Sequence, residues 1–246
     1  MKRTRYEILD SIRGLTLISM ILYHAVWDMV YIFGINWDWY ETEAAFVWQQ
    51  SICWGFILLS GFCWSLGTHK LKRGLMVFGA GAVVSIVTLV FMPENAVRFG
   101  VLTLLGSCML IMIPLHKVLR KCPAVLGGAL AFVLFLFTKQ INYGTVGIGS
   151  LTIEVPEKLY SNWFMTYLGF AEKSFYSTDY FSVFPWFFLF LTGYYLYGIA
   201  EKTKMLSRIK GFRNVVLEWI GKRSLYIYML HQPVIYGVLF LVFKIG

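Results

Sequence analysis

Apolar runs at roughly 8–33, 44–67, 74–92, 98–116, 123–138, 182–200 and 223–244 follow one another along the chain with short polar breaks between most of them. A helix needs roughly twenty apolar residues to cross the ~30 Å hydrocarbon core of a bilayer, and there it must satisfy its own backbone. The runs therefore predict an all-α, polytopic membrane protein with about seven transmembrane helices. Composition agrees: 58% of the 246 residues are hydrophobic and only 14% are charged, against roughly 25% charged in an ordinary soluble domain. A water-soluble globule has nowhere to put that apolar surplus. Nothing repeats along the chain at a period that would suggest a solenoid, so residues 1–246 read as a single membrane domain.

Sidedness follows from the Lys and Arg of alternate connections. Lys2, Arg3 and Arg5 at the start, Lys70, Lys72 and Arg73, then Lys117, Arg120 and Lys121, and finally the stretch from Lys202 to Arg223 are basic. The intervening connections carry Asp38, Glu41 and Glu43, then Glu94, then Glu154, Glu157, Glu172 and Asp179. Basic connections stay on the cytoplasmic side, which puts the N-terminus in the cytoplasm of a plasma or inner membrane and the C-terminus outside. The same placement explains the net charge of +9 without nucleic acid. The apolar run after Lys2-Arg3-Thr4-Arg5 is too long for a signal peptide and no small-residue cleavage site follows it, so it reads as a retained first helix.

The segment 139–181 is the one long connection. Its stretch Ser161 to Ala171 suits a short interfacial or re-entrant helix; were it to cross, the helices would number eight and the C-terminus would change sides. Cys53, Cys63, Cys108 and Cys122 form no CxxC pair and imply neither a disulfide framework nor a metal cage. Ser60-Gly61 and Gly79-Ala80-Gly81 suit close helix packing, and no phosphate-binding or dinucleotide fingerprint is present.

Ionisable residues inside a span are costly and by default mark a functional interior. Arg13 and His24 are eleven positions apart on the first span; at about 100° per residue they share a face, roughly 16 Å apart along the axis. Asp10 lies three residues before Arg13 and Asp28 one turn beyond His24, so one stripe carries all four, with Asp28 in reach of the imidazole. His231 lies inside the last span, two residues before Pro233, which removes a backbone donor and favours a kink that lines a cavity. Arg98 opens the fourth span, and Asp179 precedes the sixth, where it suits the start of that helix. Simpler roles stand beside these: Asp10, Arg13 and Arg98 could snorkel to headgroups, and either histidine could bond a neighbouring helix.

Asp10-x-x-Arg13-Gly14 followed by His24 resembles the first-helix signature of the transmembrane acyltransferases, which include the bacterial membrane O-acyltransferases and the relatives of the heparan-α-glucosaminide N-acetyltransferase catalytic domain. Ser60-Gly61-Phe62, Arg98-Phe99-Gly100-Val101-Leu102, Asp179-Tyr180-Phe181, Phe184-Pro185-Trp186, Gly193-Tyr194, Ser224-Leu225-Tyr226 and His231-Gln232-Pro233 are similar, in the same order, to signatures of the bacterial members of the latter group. Two departures stand out: Thr103 occupies a position where members often have a histidine, and the loop Gly34 to Ala45 carries none. The resemblance implies transfer of an acyl group, acetyl foremost, from cytosolic acetyl-coenzyme A or another acyl-coenzyme A to a hydroxyl or amine of a glycan or cell-envelope acceptor.

On that reading His24 is the general base, with Asp28 or a tyrosine fixing its tautomer and His231 facing the same site. Arg13, with Asp10 and Arg98, would hold the coenzyme A phosphates. Asp179 and Trp27 would line the acceptor's side, and no metal is required. The expected partners are the bilayer, the acyl donor and the acceptor, and a homodimer is compatible with the sequence. A rival of another class is a small proton-coupled transporter that uses His24, Asp28 and His231 as a relay.

Overall fold

The computed structural model describes residues 6–208 and 214–244; Lys2, Arg3, Arg5 and residues 209–213 of the last basic stretch lie outside the described residues. The elements in chain order are α1 (Glu7–Trp27), α2 (Glu43–Trp64), α3 (Lys70–Phe91), α4 (Val101–Leu119), α5 (Ala124–Thr138), the strands β1 (Thr145–Ile148) and β2 (Leu151–Glu154), α6 (Trp163–Leu168), α7 (Val183–Lys202), α8 (Met205–Arg208), α9 (Val215–Lys222) and α10 (Ser224–Lys244). Among the described residues seven helices are long and apolar enough to cross a membrane, the first running on through a π-helical turn to Ile32. They coincide with the seven apolar runs to within a few residues, and the protein is a multi-pass, all-α membrane protein. Many of their large apolar side chains point outward, such as Leu15, Val90 and Leu130, as a lipid-facing surface requires.

The chain divides into two compact units, one of residues 1–56 with 204–246 and one of residues 57–203. In the first, Leu17, Met20 and Ile52 form the core, with Tyr23, Trp48, Phe56, Ile220, Ile227 and Tyr228 packed around them. α9, whose start is capped by Asn214 Oδ1 accepting from Val216 and Leu217 N–H, crosses α1 at almost backbone contact. A Cβ on Gly14 would fall 2.1 Å from the Leu217 carbonyl oxygen, and one on Gly221 1.9 Å from that of Asp10.

The second unit uses the same device. A Cβ on Gly61 of α2 would sit 2.0 Å from the Phe190 carbonyl oxygen on α7, and one on Gly193 of α7 2.1 Å from that of Leu58. Gly81 meets the start of α4 at Thr103, whereas Gly79 faces open space. Small residues let helix backbones approach where lipid supplies no hydrophobic drive between helices. Phe135, Phe190, Leu104, Met112 and Leu189 fill the core between α4, α5 and α7.

The long connection is structured. Its hairpin pairs Thr145 with Glu154 and Ile148 with Leu151, and α6 follows, capped by Asn162 Oδ1 accepting from Met165 N–H at 3.0 Å. The six residues of α6 span about 9 Å at ~1.5 Å per residue. That is too short to cross, so the helix expected within 161–171 adds no eighth span.

Candidate functional site

The first unit holds the polar stripe. At one end Arg13 Nη1 donates to Asp10 Oδ1 at 2.8 Å, the i,i+3 pair expected from the spacing. Asp10 is buried and Arg13 only partly so. One turn of α9 brings a further pair, Glu218 and Lys222, with Nζ to Oε2 at 3.1 Å.

At the other end His24 of α1 and His231 of α10 lie ring to ring, their centroids 4.9 Å apart. His231 Nδ1 is bonded to the Tyr228 carbonyl oxygen. A carbonyl only accepts, so Nδ1 carries the proton and Nε2 presents a bare lone pair. That Nε2 is buried and has no partner among the described residues. The His24 ring, packed edge-on against Tyr23, makes no hydrogen bond to another described residue.

Asp28 is fully buried, but it does not meet His24. Its Oδ1 accepts from Gln232 Nε2 at 2.6 Å. α1 gives way at Asp28 to a π-helical turn, in which Phe33 N–H bonds back five residues to the Asp28 carbonyl at 3.0 Å. Between His24 and Asp28 the helix is regular, the Asp28 N–H still reaching the His24 carbonyl, so it is the Gln232 amide and not the backbone that takes the carboxylate. Asp28 Oδ2 and Gln232 Oε1 are buried without partners among the described residues. With His231 Nε2, three buried acceptors are left without a donor, an arrangement that usually marks a bound water or ligand group.

Tyr40, in the turn Asp38–Glu41, packs against Tyr23 with ring centroids 5.2 Å apart and is buried. Burial, then the Tyr23 and Tyr31 hydroxyls and the Asp28 carboxylate, holds its phenol well above the ordinary range, so it keeps its proton. Trp48, whose Nε1 donates to Ser19 Oγ at 2.8 Å, closes the aromatic wall. Trp27 packs against Tyr31, the ring centroids 5.3 Å apart and tilted by 45°. The sequence offers Gln232 only as part of the His231-Gln232-Pro233 signature and Tyr40 only as an interface aromatic, with a site role for neither; an acid in the first helix and an amide beside the last-helix histidine were the available signal for Gln232.

In the second unit Asp179 does not serve its own helix. Its Oδ2 accepts from Val101 N–H at 3.2 Å, capping α4. Gly100 admits this, since a Cβ there would fall 2.7 Å from that oxygen. Burial pushes the Asp179 carboxyl up to about 6, against the pull of the Val101 N–H. Arg98 is tied into the same turn: its N–H meets Ser177 Oγ at 2.9 Å, its Nη1 reaches the Tyr176 carbonyl at 3.4 Å, and the guanidinium lies over the Trp163 ring. Arg98 thus stands at the end of α4 opposite Lys117 to Lys121. No group of three or more His, Cys, Asp or Glu suited to a metal occurs among the described residues.

Residues 5–233 match the family described as heparan-alpha-glucosaminide N-acetyltransferase, catalytic. The chain belongs to that family. No curated protein and no solved structure matches it. Membership places the chain among transferases, and its seven spans make it a membrane-embedded one. The short motifs that carried the resemblance meet in pairs in the fold. Asp179 to Phe181 braces Arg98 to Val101, with Phe181 N–H on the Phe99 carbonyl at 2.9 Å; Gly61 lies against α7 three residues from Gly193; and His24 with Asp28 faces His231 and Gln232.

Proposed function

We propose that this protein transfers an acyl group, acetyl foremost, from a cytosolic acyl-coenzyme A to a hydroxyl or amine of a glycan or cell-envelope acceptor, with the His24 and His231 pair as its proton-handling centre. The observation that carries this reading is the juxtaposition of the two rings, one with its tautomer set by a carbonyl, in a chain of this family. His24, whose ring has no internal partner, takes the proton from the acceptor O–H or N–H as that atom attacks the thioester carbonyl. The tetrahedral adduct collapses, the C–S bond breaks, and the thiolate of coenzyme A recovers the proton from the imidazolium. His231 Nε2, a bare acceptor on a ring 4.9 Å from that of His24, replaces Asp28 as the group available to receive a His24 N–H when the acceptor binds. Asp28, Gln232 and the protonated Tyr40 line the acceptor's pocket together with Trp27. Arg13 meets the donor phosphates at the far end of the stripe by sharing its fork with Asp10, and Asp179 acts through the start of α4.

The experiment is transfer of radiolabelled acetyl from acetyl-coenzyme A by the purified protein, with free thiol release as a second readout. General-base catalysis of this kind contributes about 10²–10⁴-fold, so His24→Ala should lose that much turnover while keeping its melting temperature and donor affinity. Near-normal turnover in His24→Ala with a dead His231→Ala would pass the base to α10. Activity in both variants would refute the mechanism. The buried Asp28 Oδ2, without a partner among the described residues, and the His24–His231 pair one turn of α1 away also suit a proton relay; proton flux in vesicles without thiol release would favour that transporter reading.

A further inference from the structure

The basic connections of the second unit are more than a topological signal. A lysine that only marks the cytoplasmic side extends into headgroups and solvent. Lys70 instead folds back, with Nζ 3.5 Å from the centroid of the Trp64 ring. That indole is buried and fixed by its Nε1 donating to the Met109 carbonyl at 3.0 Å. His116 lies against the same indole, centroids 5.1 Å apart, and its Nδ1 is hydrogen-bonded to the hydroxyl of buried Tyr194 at 2.8 Å. Arg120 follows His116 by one helical turn, its N–H on the His116 carbonyl at 3.1 Å.

Lys70, His116 and Arg120 come from three places: the start of α3, the last turn of α4, and the residue after it. Among the described residues none of the three meets a carboxylate. Their convergence therefore concentrates positive charge and N–H donors on a rigid aromatic wall with nothing to neutralise them. Like charges held together raise the free energy of the site until an anion enters. An ammonium from the start of α3, with an imidazole and a guanidinium fork one turn apart at the end of α4, suits the tetrahedral array of oxygens on a phosphate.

We propose that Lys70, His116 and Arg120, backed by Trp64 and Tyr194, form a binding site for a phosphoryl group. It is supplied either by the headgroup of an anionic phospholipid or by a soluble phosphate-bearing nucleotide. The site is independent of the acyl-transfer reading, because phosphate binding is measured without turnover.

The test uses the full-length protein in two arms. In the first, 3′,5′-adenosine bisphosphate and inorganic phosphate are titrated against the detergent-purified protein and binding is read as thermal stabilisation. In the second, the protein is placed in nanodiscs of phosphatidylcholine with or without phosphatidylglycerol, and retained lipid is counted by native mass spectrometry. A charge-assisted contact is worth about tenfold or more in affinity, so Lys70→Gln and Arg120→Gln should each weaken the effective probe by at least that much, while Lys70→Arg restores it. Response only to the bisphosphate or phosphate identifies a soluble ligand, and response only to phosphatidylglycerol identifies a headgroup. The Lys70→Gln, Arg120→Gln double variant leaves the His116–Tyr194 bond in place, so folding is guarded. Equal responses of wild type and this double variant to every probe, or no response by wild type to any, would overturn the proposal.

Discussion

Asp179→Asn separates a structural acid from a binding one. The native carboxyl is pushed from an ordinary value of 3.8 up to about 6 by burial, although one oxygen accepts the Val101 N–H. A folded-state pKa raised above the unfolded one means that the fold favours the protonated acid. That contribution is present in full below the unfolded value and is lost as pH rises through about 6. At about 1.4 kcal/mol per unit, a shift of roughly two units costs on the order of 3 kcal/mol above pH 7 as an upper bound, and less because Asp179 is partly exposed. Asparagine keeps an acceptor oxygen for Val101 and cannot ionise. The difference in melting temperature between Asp179→Asn and wild type should therefore grow in favour of the variant between pH 4.5 and 7.5, by a few degrees, in detergent-solubilised protein. Parallel melting curves across that range would refute the buried-acid argument. If the variant melts as expected yet loses transfer a hundredfold with an unchanged donor KM, Asp179 contacts the acceptor and is not merely the cap of α4.

Four further outcomes follow from particular contacts. Gln232→Leu should leave Asp28 buried without a donor and cost about 1–3 kcal/mol of stability together with acceptor KM; unchanged melting and KM would mean that the amide contact is incidental. Gly61→Ala presses a methyl onto the Phe190 carbonyl and should lower the yield of folded protein and its melting temperature by the equivalent of about 1–3 kcal/mol, which differential scanning fluorimetry would detect or deny. Arg13→Lys loses the planar fork shared with Asp10 and should raise the KM for acyl-coenzyme A more than it lowers kcat; a folding loss with unchanged KM would confine Arg13 to its ion pair. For sidedness, an introduced Thr42→Cys should label in intact cells and Thr68→Cys should not, and the reverse pattern would invert the protein in the membrane.

The spans were legible because a bilayer leaves a chain almost no choice: a run of some twenty apolar residues must close its own hydrogen bonds as a helix. Even the pairing of Asp10 with Arg13 could be read from i,i+3 spacing on a straight helix. The error at Asp28 has the opposite origin. Ideal spacing sent its carboxylate to His24, and the helix between them is regular, the Asp28 N–H reaching the His24 carbonyl, but the carboxylate is taken by the Gln232 amide of α10. Asp179 failed for a related reason. A capping acid was sought at the nearest helix in sequence, whereas the N–H it satisfies belongs to α4, far away along the chain. Pairings such as Gln232 with Asp28 are long-range facts, and a single sequence carries only the local half of them.

The same distinction bears on the catalytic histidine. A sequence can place His24 at depth, but only the fold shows that the neighbouring ring has its Nδ1 held by the Tyr228 carbonyl. A histidine held in this way offers its other nitrogen as an acceptor and has no proton to give there while neutral. His24 can therefore carry a proton between its two nitrogens only if one of them faces His231 Nε2 and the other faces the reacting atom. Gln232 serves this division of labour: its amide engages the Asp28 carboxylate at 2.6 Å and leaves the His24 ring facing His231. A carboxylate in that place would likewise accept from one ring N–H and leave the other nitrogen's lone pair free, so a neutral His231 ring differs from it in charge and not in the tautomer it selects.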